Sequence, residues 1–287
     1  MRELLSIGEA DLEPILRAHR GTNVFEITLM RIDSDKGLVS ALSRYIHFNS
    51  AFAGGVANLA GEIASRQDLF CDFDEVNSVV ADRSLEVAAD IFFAAVEEFG
   101  KGHYHQQTSH RTLAQASLIA IRNFFNMSPA EVDYIVAGSK NTLSALASVR
   151  EGYCVNEKVA EPELFRAIGF HIGSEALADA EFNVLNTFLR TKYPRLVDYL
   201  ERTKVPMNGI ECPGYYWVQI HTSVEVNHFR AAIHSANLAL RYYAGNHTQA
   251  CVKAWILDGF KEFAAIQTEF MENIMERRME KICRSAS

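Results

Sequence analysis

The sequence predicts an all-α protein. Only six prolines and sixteen glycines occur in 287 residues, and the long Ala-, Leu-, Phe- and Glu-rich segments between them repeat apolar residues at i, i+3, i+4 and i+7, the period of a helix with one buried face. No Gly/Ser linker, low-complexity tract or internal repeat divides the chain. The expectation is therefore a single helical domain over residues 1–287, close to the upper size for one hydrophobic core.

Taken in order, a short amphipathic helix is expected over 9–19, then helices over 36–66 and 76–99. GKG at 100–102 interrupts the last of these. Further helices follow over 108–126 and 129–148, the second opened by SPAE at 128–131, where a Ser cap precedes Pro at the first helical position. A long helix spans 161–192. ECPG at 211–214 opens a helix over 212–243, AGN at 244–246 closes it, and the last helix runs over 248–283.

Charge excludes several functions. With 36 acidic against 28 basic residues the formal net charge is −8, and no long Lys/Arg run offsets it, so neither nucleic acid nor an anionic membrane is an expected partner. No run approaches the roughly 18 apolar residues of a membrane span. The first residues, MRELLSIGEADLEP, are acidic and amphipathic and do not read as a secretory signal. Cys71, Cys154, Cys212, Cys251 and Cys283 are odd in number and lack CxxC spacing, which fits reduced thiols in a cytoplasm, not disulfides or structural zinc.

Chemistry is concentrated in HTSVEVNH, residues 221–228. On a helix His221, Glu225 and His228 fall at i, i+4 and i+7, within about 60° of one another. Imidazole and carboxylate donors together suit non-haem iron or manganese. The neighbours Trp217, Ile220, Val224, Val226 and Phe229 are apolar on several sides, so the helix reads as buried, and a buried carboxylate needs a partner to offset its desolvation. The bland alternative is a solvated polar face.

One helix supplies ligands from one side only, so a carboxylate-rich site in a bundle draws on other helices. VEEFGKGHYHQQTSHRTL (96–113) offers Glu97, Glu98, His103, His105 and His110; AIGFHIGSEALADAEF (167–182) places His171 and Glu175 on one face, with Gly169 and Gly173 permitting close helix approach. Each has a structural alternative. Glutamates at a helix end are usually solvated, His103 and His105 read as surface residues, and Glu175 fits equally well as a buried carboxylate bonded to His171. Glu181 lies on a different face and is expected to be exposed. Glu62, in ANLAGEIASR, is a further inward candidate.

A glutamate before a glycine-rich break, an HxxL segment, a glycine-bearing helix with a glutamate and then HxxxExxH, in that order, resemble the haem-oxygenase-like diiron oxidase and oxygenase superfamily. The similarity takes in SRYIHFNSAFAGGVANLAGEIASR at 43–66 and the last helix, covering about residues 20–280. It implies a haem-oxygenase-like bundle of about seven core helices. It also implies six metal ligands, Glu98, His110, Glu175, His221, Glu225 and His228, holding two iron ions that react with O2.

Three features depart from the family pattern. Most members carry Asp where this chain has Glu225. The interval from Glu98 to His110 is slightly long, which keeps Glu97 and His105 as competing assignments. The interval from Glu175 to His221 is also long and contains an insertion around 193–214, expected to shape a pocket or a partner surface.

The activity implied is oxidation of a small amine- or amino-acid-derived metabolite, by N-oxygenation or by oxidative C–C or C–H cleavage, in a natural-product pathway. An external electron donor and a homodimer accompany that expectation. Tyr215, Tyr216, Trp217 and Arg230 are candidate pocket residues. The competing reading is a metal-free protein of the same fold, either a small-molecule binding module or a relative of thiaminases and cofactor-free oxidases.

Overall fold

Helix α9 (Glu161–Lys192) is the axis of the structure, a computed structural model that describes residues 5–75, 81–101, 108–136, 139–155 and 159–275, the side chains of 134–136 and 223–226 excepted. At 32 residues it runs about 48 Å. Pro162 fits the first turn, Glu161 and Glu163 lie at its positive pole, and Arg190 and Lys192 lie at its negative pole. It stops at Tyr193, where Pro194 follows and disfavours helical geometry in the residue before it.

Before it come α1 (Glu9–Ala18), α2 (Gly21–Met30), α3 (Asp35–Asn49), α4 (Phe52–Ala64), α5 (Ser84–Glu98), α6 (His110–Phe124), α7 (Pro129–Val136) and α8 (Lys140–Gly152). After it come α10 (Pro194–Arg202), α11 (Tyr216–Arg241) and α12 (Gln249–Asn273). Two small antiparallel hairpins complete the described residues. β1 (Cys71–Asp72) pairs with β2 (Ala81–Asp82), and β3 (Lys204–Met207) pairs with β4 (Ile210–Pro213), Val205 opposite Cys212.

The predominantly helical architecture agrees with the sequence, but twelve helices are described where the apolar spacing predicts eight. The segment expected as one helix over 36–66 breaks at Ser50–Ala51 into α3 and α4, and 129–148 divides into α7 and α8. ECPG does not open a helix. Glu211, Cys212 and Pro213 belong to β4, and α11 starts three residues after Pro213. Helices α2 and α10 and strands β1 and β3 lie outside the expected elements, whereas β2 falls inside the helix expected over 76–99, which begins only at Ser84, and β4 overlaps the start expected for 212–243. The end expected for the last helix, 276–283, lies outside the described residues, as does Cys283.

Packing follows from α9 having almost no solvent face. It lies against α11 and α12, and also touches α2, α4, α8 and α10. The closest approach, to α12, depends on glycine on both sides. A Cβ on Gly169 would lie 1.7 Å from the Ile256 carbonyl oxygen, and one on Gly259 would lie 1.9 Å from that of Arg166. The core between these helices is rich in phenylalanine, with Phe48 stacked on Phe270 at 4.1 Å and Phe170 edge-on to Phe263 at 5.1 Å. No described helix is long and apolar enough to cross a membrane. Cys71, Cys154, Cys212 and Cys251 are free thiols.

Glu181 corrects one expectation: it is 4% exposed, not on the surface. Tyr45 donates its hydroxyl to Oε2 at 2.9 Å, and the Gln267 amide donates to Oε1 at 2.5 Å. Burial pushes the carboxyl up to about 7 despite these two hydrogen bonds. The folded state therefore holds the proton more tightly than the unfolded chain. The contribution to stability is full below the ordinary carboxylate value and is lost as pH rises through about 7.

Two expected outcomes follow. In urea titrations at pH 5 and pH 8, Glu181→Gln should gain on the wild type at the higher pH by up to roughly 3 kcal/mol, the size of the pKa shift. A gain equal at both pH values would show that Glu181 does not titrate in this window. Gly169→Ala should lower stability by about 1–3 kcal/mol in the same assay, because the Ile256 backbone has to move.

Candidate metal centre

Helix α5 ends on two consecutive glutamates, and the way the chain leaves the helix fixes both. Gly100 has φ +77°, its amide donates to the Glu97 carbonyl at 2.8 Å, and the Lys101 amide donates to the Val96 carbonyl at 3.1 Å. This is a Schellman closure, which needs a left-handed residue at the turn. A Cβ on Gly100 would also sit 2.4 Å from the Thr108 carbonyl oxygen, so glycine is needed for space as well as for φ. The GKG break thereby brings the end of α5 against the start of α6. His103 and His105 lie outside the described residues.

Helix α6 is capped by Ser109, whose side chain accepts from the Thr112 amide, so His110 is its first residue. His110 is 3% exposed, and its Nδ1–H donates to Glu98 Oε1 at 2.8 Å. From α11, His221 brings a second ring, 4.5 Å from the first between centroids. Its Nδ1–H donates to the Trp217 carbonyl at 2.6 Å, which leaves Nε2 as the lone-pair nitrogen, 3.9 Å from Glu98 Oε1. Phe182 stacks on the His221 ring at 4.1 Å. One donor atom from each of Glu98, His110 and His221 lies within 4.8 Å of the others, a group that could hold a metal ion.

A second group lies beside the first. Glu97, 5% exposed, accepts from His228 Nε2–H at 2.5 Å. The other ring nitrogen of His228 is 3.4 Å from Glu175 Oε2, and Glu175 Oε1 is 3.3 Å from His171 Nδ1. Tyr153 reaches both His171 Nδ1, at 3.3 Å, and the Ser174 hydroxyl, at 2.7 Å. The groups feel one another: the Glu175 charge acts on Glu98, and that of His228 acts on His221.

Electrostatics favour the ligand forms of Glu98 and His221. Burial works to raise the Glu98 carboxyl, but the charge and hydrogen bond of His110, aided by His221, outweigh it and hold the group below its ordinary value. Burial, with His110 alongside, pulls His221 down to about 3, against the opposing pull of Glu98. His171 is lowered by burial, partly offset by Glu175. Near neutral pH, Glu98 is a carboxylate and His221 a neutral imidazole.

Glu98, His110 and His221 also form one wall of a cavity of about 350 Å³. Ile46, Phe52, Ala53, Leu118 and Trp217 give it apolar surface, and Ser43, His47, Asn49, Arg111 and Gln115 give it polar groups.

The structure thus gathers Glu98, His110 and His221 in one group and Glu175 and His228 in the other. The side chain of Glu225, the remaining predicted ligand, lies outside the described residues. Glu97, which the sequence offered as an alternative to Glu98, is present in addition to it. His171, read only as a bonding partner, is a buried member of the second group. Of the four candidate pocket residues only Trp217 lines the cavity. Tyr215 is buried with its hydroxyl on Asn186 and the Arg190 guanidinium over its ring, Tyr216 is half-buried, and Arg230 is exposed. Glu62 is half-buried, and its charge acts on Arg66 instead.

Two observations bear on whether these residues suit a cation. The Nε2 atoms of His110 and His171 are buried without a hydrogen-bond partner, an arrangement that costs about 1–3 kcal/mol per group unless something binds there. Glu97, Glu98 and Glu175 each form an ion pair with an imidazole. The donors fit a metal. No family model and no curated protein matches the chain.

Gly100→Ala should disturb this centre from outside it. Strained φ and the Thr108 contact predict a loss of about 1–3 kcal/mol in thermal or urea unfolding. Unchanged stability would mean that the Schellman turn is not what holds α5 against α6.

Proposed function

We propose that the protein is a non-haem diiron oxidase or oxygenase with a haem-oxygenase-like bundle, using O2 to oxidise a small amine- or amino-acid-derived metabolite. One observation carries the reading: the Glu98, His110 and His221 donors form a wall of a small-molecule-sized cavity. Glu97, Glu175 and His228, with His171 behind them, are the residues to hold a second ion. Mixed carboxylate and imidazole donors drawn from facing helices suit a pair of iron ions. When bound, the iron supplies the redox chemistry with O2.

The chain's own residues define the surroundings of that chemistry. The Trp217 carbonyl fixes the tautomer and orientation of His221, as a hydrogen bond to the far nitrogen of a ligating imidazole does. Glu98 does the same for His110. Phe182 covers the face of His221, and Phe93 meets the His228 ring edge-on at 5.8 Å, both limiting water around the donors. Trp217 and Phe52 give the reacting molecule an apolar wall beside the donors.

Metal analysis after anaerobic loading with ferrous ion tests this directly. The wild type should retain near two irons per chain, with O2 uptake on mixing; His221→Ala and Glu97→Gln should each drop the stoichiometry toward one. A wild type that retains no iron, with no change in either variant, would sink the oxygenase reading and leave a small-molecule binding protein.

A further inference from the structure

The cavity that the metal donors line also contains a cation with no carboxylate partner among the described residues. Arg111 is the second residue of α6, in the first turn, where the helix dipole disfavours positive charge. Its position is therefore not explained by helix stability. Its side chain is exposed at the cavity, its guanidinium donates to the Ser50 carbonyl at the end of α3, and it has no carboxylate partner among the described residues. A guanidinium has five N–H donors, so one bond to a carbonyl fixes the group without exhausting it.

Ser43 also lines the cavity, is 2% exposed, and its hydroxyl has no hydrogen-bond partner among the described residues. A buried hydroxyl left unpaired is costly, and one lining a cavity is satisfied by what enters it. His47, Asn49 and Gln115 add polar groups, while Ile46, Phe52, Leu118 and Trp217 are apolar. Among the described residues lining the cavity Glu98 is the only acidic one, and it is engaged with His110.

We propose that the cavity binds a small carboxylate with an apolar body, its anionic group paired with Arg111 and a further polar group reaching Ser43. This deepens the proposed function by choosing the acid-bearing, amino-acid-derived class of substrate over simple amines. It rests on that reading only for the reaction, because binding is measured without metal.

The test uses metal-free protein carrying Trp255→Phe, a change on α12 that leaves Trp217, in the cavity wall, as the only tryptophan. Trp217 fluorescence is titrated at low ionic strength with 4-phenylbutyrate and 4-phenylbutylamine, which share a body and differ in charge. The acid should bind about tenfold more tightly or better, as for a charge-assisted guanidinium–carboxylate pair, and Arg111→Gln should remove that preference. Arg111→Lys should keep part of it.

Equal or tighter binding of the amine, no saturable signal from either compound, or an unchanged preference in Arg111→Gln would overturn the assignment. A purely structural Arg111, tying α6 to the end of α3, predicts lower thermal stability in Arg111→Gln with the acid preference intact, which also overturns it. Iron stoichiometry, measured separately, stands or falls on its own.

Discussion

A carboxylate taken out of water among packed helices costs several kcal/mol unless its charge or its proton is accounted for, and this bundle does so repeatedly. Glu97, Glu175 and Glu181 are buried and Glu98 is largely covered. The solutions differ by location. Glu181, among Tyr45, Gln267 and aromatic rings, keeps its proton to higher pH. Glu97, Glu98 and Glu175 face imidazoles. The first arrangement is that of a structural group, and the second is that of a site in which a cation is welcome.

The division also explains why the cavity lies where it does. Helices α5, α6 and α11 converge on Glu98, and α3 and α4 close the other side with Ser43, Ile46 and Phe52. Glu98, His110 and His221 supply the metal donors, and the rest of the lining mixes hydrocarbon with the polar groups of Ser43, His47, Asn49, Arg111 and Gln115. A small molecule held there meets the metal donors on one side and apolar surface on another.

Much of this was legible in the sequence. Helix α9 was readable to the residue because its acidic first turn, Pro162, its basic last turn and Pro194 all mark the same ends. The family resemblance pointed to a meeting of HTSVEVNH with the segments 96–113 and 167–182, and donors from all three lie near one another. The break at Ser50–Ala51 was hidden because neither Gly nor Pro marks it and apolar spacing continues across it. Glu181 was misplaced because a helical wheel assigns faces to inside and outside, whereas α9 has neighbours on nearly every side. Glu97 and Glu98 were treated as rivals, yet adjacent residues about 100° apart at a helix end reach different partners, His228 and His110. No periodicity signals that the Ser43 hydroxyl and the Arg111 guanidinium line one cavity; both need the third dimension.

His221 is oriented by a carbonyl four residues earlier in its own helix. Its ring therefore travels with α11 as a rigid pointer, while Glu98 and His110 are carried by α5 and α6. The spacing of these three side chains is a gauge of how three helices are seated, so a change in packing far from the cavity, even one that leaves every donor intact, is read out as a change in the aperture between them.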